Sequence, residues 1–115
     1  MKLIHSFIYA FLGIKTALLT QVNVVIHFIA ACIALALAYF LKVSSNEFCL
    51  IVICIAMVIS AELFNTAIEL ICDFIHPQQN EKIKRIKDIS AGAVLVTAIA
   101  AFVIGLFIFL PKLLN

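Results

Sequence analysis

The run Ala61-Glu62-Leu63-Phe64-Asn65-Thr66-Ala67-Ile68-Glu69-Leu70-Ile71-Cys72-Asp73 sets three carboxylates and a carboxamide at the end of a long apolar stretch. On a helix turning about 100° per residue, Glu62, Asn65, Glu69 and Asp73 fall within about 80° of one another. They form one polar stripe on an otherwise apolar cylinder. Charge sunk into a membrane segment is costly unless partnered, so such groups mark substrate or ion pathways. The stripe reads as a catalytic face.

Working outward, 66% of the 115 residues are hydrophobic, against about 45 to 50% in soluble domains. Three runs reach or approach the roughly 20 residues that cross a bilayer: Val22 to Leu41, Phe48 to Ala61 with its striped continuation, and Ile89 to Leu110. The expectation is an all-α membrane protein with one domain over residues 1–115 and spans at about 22–41, 48–75 and 86–110. So short a chain can hardly enclose a large substrate site alone, which points to oligomerisation. Neither a signal-peptide pattern nor a lipidation motif is read at either end, so the N-terminus is expected to be retained. Lys2, Lys15, Lys82, Lys84, Arg85 and Lys87 fall on one side of this arrangement, and Lys42 and Lys112 on the other. The positive-inside rule then puts the N-terminus and second loop in the cytoplasm. With no soluble basic domain or aromatic platform, nucleic acid is not an expected partner. Cys32, Cys49, Cys54 and Cys72 lack paired spacing and read as small buried apolar residues.

Residues Met1 to Thr20 mix Lys2, His5, Lys15 and Thr16 with Phe7, Phe11 and Leu18, the pattern of an interfacial helix on the cytoplasmic surface. Gln21, Asn23 and His27 bring polarity into the first span, and Ala30 to Ala38 allows close helix contact. His27 has no ligand-spaced companion and is assigned no chemistry. Ser45 or Asn46 is placed to cap the second span, with Glu47 at its positive end. Counting about 1.5 Å per residue from Phe48, Glu62 lies about 21 Å along the axis and Glu69 about 32 Å, against a hydrocarbon core of about 30 Å. Glu62 is submerged and Glu69 interfacial, spanning the depth at which a lipid hydroxyl would meet a water-soluble donor. Pro77 ends this helix. Beyond it, Lys84, Lys87 and Asp88 share a face able to meet Glu69 and Asp73, and Ser90-Ala91-Gly92-Ala93 offers another close approach.

Two glutamates, an asparagine, an aspartate and a basic cluster at one membrane surface suit phosphoryl transfer. One glutamate can accept the proton of an attacking alcohol, others can hold Mg²⁺, and lysines can neutralise nucleotide phosphates. The glycines, Gly13, Gly92 and Gly105, build no phosphate-binding loop, and the protein-kinase signatures are missing.

The stretch Glu62-Leu-Phe-Asn65-Thr-Ala-Ile-Glu69-Leu-Ile-Cys-Asp73, with Ile86-Lys87-Asp88-Ile-Ser-Ala-Gly-Ala-Val-Leu, resembles the bacterial diacylglycerol kinase and undecaprenol kinase family. The likeness extends from Ser6-Phe7, through Tyr9-Ala10-Phe11 and Gly13-Ile14-Lys15, to Phe109-Leu110-Pro111-Lys112. It implies a homotrimer in the bacterial inner membrane, with three spans and an amphipathic surface helix per subunit, that phosphorylates a lipid alcohol with Mg-ATP. By the same resemblance Glu62 would be the general base and Glu69 a metal ligand, with Gln21 at a second metal position. Asn65, Asp73, Lys87, Asp88, Lys15 and Tyr9 would serve substrate or nucleotide. Two departures stand out. Members usually carry Asn-Glu where this chain has Thr20-Gln21, and basic residues common in the family appear here as Ile8, Leu12, Val22 and Val25. Other readings of the stripe are a weakened or repurposed family member serving as a small assembly subunit, polar packing within a trimer, and an ion-conducting bundle.

Overall fold

The computed structural model describes residues 1–115 as four helices and no strand: α1 (Lys2–Thr20), α2 (Val22–Phe40), α3 (Ser45–Ile75) and α4 (Glu81–Leu114). All four are long and apolar enough to cross a membrane. The all-helical expectation holds. At about 1.5 Å per residue the 34 residues of α4 extend about 51 Å, which accounts for the 53 Å long dimension of the molecule.

Each break has a local cause. Between α1 and α2 only Gln21 leaves the helical region, with extended backbone at φ −121° and ψ 112°. After α2 the chain turns through Lys42, which holds a left-handed φ of 54°. Its N–H donates to Tyr39 O at 3.3 Å, while Val43 N–H donates to Ala38 O at 3.2 Å. This pair of bonds is a Schellman closure, usually built on glycine. Lys42 carries the strain of a side chain there, and Val43 packs onto the Ala38 cluster in return.

The cap of α3 corrects the sequence reading. Ser44, not Ser45 or Asn46, is the capping residue. Ser44 Oγ accepts from Glu47 N–H at 3.2 Å, and Glu47 Oε1 accepts from Ser44 N–H at 2.9 Å. Only Ser44 has a glutamate three residues on, the spacing this reciprocal pair needs. Ser44→Ala is expected to lower unfolding stability by about 1 kcal/mol, measured by denaturant titration in detergent, with no change in assembly. Lys112 Nζ lies 3.1 Å from Glu47 Oε1 and ties the far end of α4 to the start of α3. Asn80 caps α4, its Oδ1 accepting from Lys82 and Ile83 N–H. The helices also overrun the predicted spans: α3 starts before Phe48, and α4 begins at Glu81 and passes through Pro111.

At the Glu47 end, Ala38, Ile51 and Ile108 form an apolar core with Ala34, Val43, Ile55, Ile104 and Phe109 against it. Toward the opposite end the buried residues turn polar, and a single chain buries few of its large apolar side chains. Two packing expectations fail. Of the cysteines only Cys72 is buried, and Cys32 and Cys49 lie on the outer surface, because the apolar helix faces there have no partner within the chain. A Cβ added at Gly92 would meet nothing within 4 Å, so that glycine serves no close approach inside one chain.

Candidate active site

Four of the ten buried residues are polar: Glu62, Asn65, Thr66 and Ser90. α3 supplies the first three and α4 the fourth. Glu62 is 4% exposed and Asn65 6%, so their polar atoms need partners inside the protein. Ser90 Oγ donates to Asn65 Oδ1 at 2.7 Å. Asn65 Nδ2 then donates to Glu69 Oε1 at 2.9 Å. With its carbonyl held by the serine, the amide turns its NH₂ toward the glutamate. One glutamate oxygen is thereby fixed, and Oε2 makes no hydrogen bond within the chain.

Glu62 has a different neighbour. His27 Nε2 of α2 lies 3.4 Å from Glu62 Oε2, with the two side chains 24% and 5% exposed. Along the helix Glu62 and Glu69 are about 10 Å apart, so the stripe runs from a buried carboxylate to a half-buried one. It ends in exposed charge, where Lys87 Nζ sits 2.6 Å from Asp73 Oδ1. The α4 face expected to meet Glu69 and Asp73 thus reaches the aspartate. It forms no ion pair with Glu69. Asp88 turns instead to Lys84, one helical turn away at 2.7 Å, because both are exposed and α4 itself supplies the spacing.

The remaining candidates make no side-chain hydrogen bond or ion pair with this row. Tyr9 is 68% exposed on α1, and Lys15 is exposed two turns further on. Neither forms a hydrogen bond or ion pair with the stripe. Gln21, half-buried, sits at the α1–α2 junction. Within one chain no three His, Cys, Asp or Glu side chains converge as a metal site.

Thr66 and Ser90 of the polar core, and the contact that His27 makes with it, go beyond what the sequence singles out. Ser90 was read only as a small residue, although an α3–α4 hairpin about the Pro77 loop brings it opposite Asn65. His27 was assigned no chemistry. Residues 27 and 62 are equidistant in sequence from the turn at Ser44, as are Ala38 and Ile51, which pack together. The hairpin register therefore carried the signal.

Long apolar helices that bury an acid–amide row and carry it to an exposed ion pair define an integral membrane protein with a polar row fit for chemistry. The chain belongs to the prokaryotic diacylglycerol kinase family, whose model matches residues 8–109. The undecaprenol kinase of Bacillus subtilis (strain 168) is 39% identical over 112 residues, covering 97% of this chain and 91% of that protein. The diacylglycerol kinase of Synechocystis is 35% identical over 115 residues, covering 99% of this chain and 66% of the relative. That of Haemophilus influenzae is 30% identical over 94 residues, covering 82% and 80%. The chain is therefore a lipid kinase by class and a multi-pass bacterial membrane protein.

Proposed function

We propose that the protein transfers the γ-phosphoryl group of Mg-ATP to the hydroxyl of a membrane lipid alcohol, diacylglycerol or undecaprenol, at the cytoplasmic face. The observation that carries this reading is the buried Glu62 carboxylate at the deep end of a polar row whose shallow end is the Lys87–Asp73 pair. A lipid hydroxyl arrives from within the bilayer and a nucleotide from water. The row joins the two depths.

In this reading Glu62 accepts the hydroxyl proton, and the alkoxide oxygen forms its bond to the γ-phosphorus as the bond to the β,γ-bridging oxygen breaks. ADP leaves, and the carboxylic acid returns its proton to water. Lys87 neutralises phosphate charge, with Asp73 and Asp88 beside the nucleotide. Asn65 orients Glu69.

Magnesium prefers hard oxygen donors and uses few protein ligands where phosphates supply the rest. The free Oε2 of Glu69 and the Gln21 carboxamide oxygen fit that requirement. Bound there, the ion would neutralise phosphate charge. Gln21 contributes no negative charge, which favours loose metal binding and gives the second reading, a weakened member retained as an assembly subunit, its one specific support. Gln21→Glu is expected to lower the Mg²⁺ concentration for half-maximal activity by about tenfold, read from a Mg²⁺ titration at fixed ATP. An unchanged or higher requirement removes Gln21 from the metal site.

Three spans with α1 on the cytoplasmic surface follow from the basic residues of α1 and the Pro77 loop. A homotrimer is supported by the extensive apolar surface left by one chain, and by Tyr9 and Lys15, which need a neighbouring subunit to reach a stripe. The test is transfer of labelled γ-phosphate from Mg-ATP by the purified protein, in mixed micelles holding each lipid separately. Labelled lipid with one acceptor names the substrate. No product from an assembled trimer would transfer the proposal to the subunit reading.

A further inference from the structure

We propose that His27 is a positioning residue for Glu62: its Nε2–H holds Oε2 of the carboxylate and leaves Oε1 directed at the lipid hydroxyl. This rests on the reading of Glu62 as the base. The chain places His27 Nε2 at 3.4 Å from Glu62 Oε2, the one polar side-chain contact that Glu62 has within the chain. A carboxylate 5% exposed needs a donor inside the protein. The imidazole of His27 is the group the chain brings nearest to it. At 3.4 Å the pair is a close contact and not yet a formed hydrogen bond; catalytic contacts of this kind can tighten when substrate fills the site.

The surroundings of the ring exclude a competing role. His27 lies at the end of a cavity of about 370 Å³ between α2, α3 and α4, lined otherwise by Ala, Ile, Val, Phe, Cys and Gly. On that side the imidazole finds no charged partner. Nε2 is the nitrogen that faces Glu62, so the proposal requires a proton on Nε2. A carboxylate can present either oxygen to a hydroxyl. An N–H on one oxygen fixes the lone-pair direction of the other, as supporting donors do for ligating side chains. The α2–α3 turn sets this geometry. It pairs residues 27 and 62 through the same register that packs Ala38 on Ile51, so the positioning group is built into the hairpin.

The experiment measures kcat and lipid KM at saturating Mg-ATP for wild type, His27→Gln, His27→Leu and Glu62→Gln. His27→Leu should lower kcat at least about tenfold with lipid KM within about twofold. His27→Gln, whose amide N–H reaches the place of Nε2, should keep at least about a third of wild-type kcat. ¹⁵N NMR of the wild-type protein should show Nε2 protonated. A leucine variant within twofold of wild type, glutamine and leucine variants equally impaired, or an Nδ1–H tautomer would each overturn the proposal. The NMR result stands even where the leucine variant fails to assemble. If Glu62→Gln itself turns over, the base reading fails first. If it is inactive while His27→Leu is not, only the positioning role fails.

Discussion

Glu62→Gln should lose turnover by about a thousandfold, within the range that general-base removal commonly costs, while the assembly stays intact. The substitution changes one oxygen to nitrogen at a residue 4% exposed. It leaves volume and packing against α2 and α4 as they were. What it removes is proton affinity: a carboxamide cannot take the hydroxyl proton at neutral pH. Two measurements check this. Labelled phosphate transfer reads activity, and size-exclusion chromatography in detergent reads assembly. ATP binding, followed by a fluorescent analogue, should be unchanged, since the Lys87–Asp73 end is about 16 Å further along the axis. A variant retaining more than about a tenth of wild-type turnover would show that Glu62 does not accept the proton.

The stripe was legible because helical periodicity converts sequence spacing directly into a shared face. Asn65 and Glu69 are four residues apart and bonded to one another, and Lys87 reaches Asp73 as the hairpin about Pro77 requires. The Ser44 cap was legible too, through its Ser-x-x-Glu spacing, but proximity to the apolar run drew the reading one or two residues late. The His27–Glu62 contact and the Ser90–Asn65 bond are not legible because each crosses a helix interface. Periodicity ranks residues on one helix and says nothing about which partner they meet. Register between helices supplies that, and it is set by the turns: the Lys42 Schellman closure for α2 and α3, and the Asn80 cap for α4. Within the single chain Tyr9, Lys15 and Gln21 make no side-chain hydrogen bond or ion pair with the row.

Asn65→Leu should cost about a hundredfold in turnover, and the reason lies in the two bonds that the amide makes at once. Its carbonyl takes the Ser90 hydroxyl at 2.7 Å and its NH₂ holds Glu69 Oε1 at 2.9 Å. Leucine has nearly the same shape and fills the space, so helix packing survives. It leaves a buried hydroxyl and a half-buried carboxylate oxygen without partners, a stability cost of about 2 kcal/mol. Glu69 is then free to turn, and if it holds Mg²⁺ as proposed, the Mg²⁺ requirement should rise together with the loss of kcat. Ser90→Ala tests the same chain from its other end. It removes only the bond that fixes which way the amide faces, and about a threefold to tenfold loss is expected. The decisive comparison is the double variant. If Ser90 acts solely through Asn65, adding Ser90→Ala to Asn65→Leu should cost no further turnover and should recover stability by removing the orphaned hydroxyl. Independent, multiplying losses would mean that Ser90 touches substrate itself.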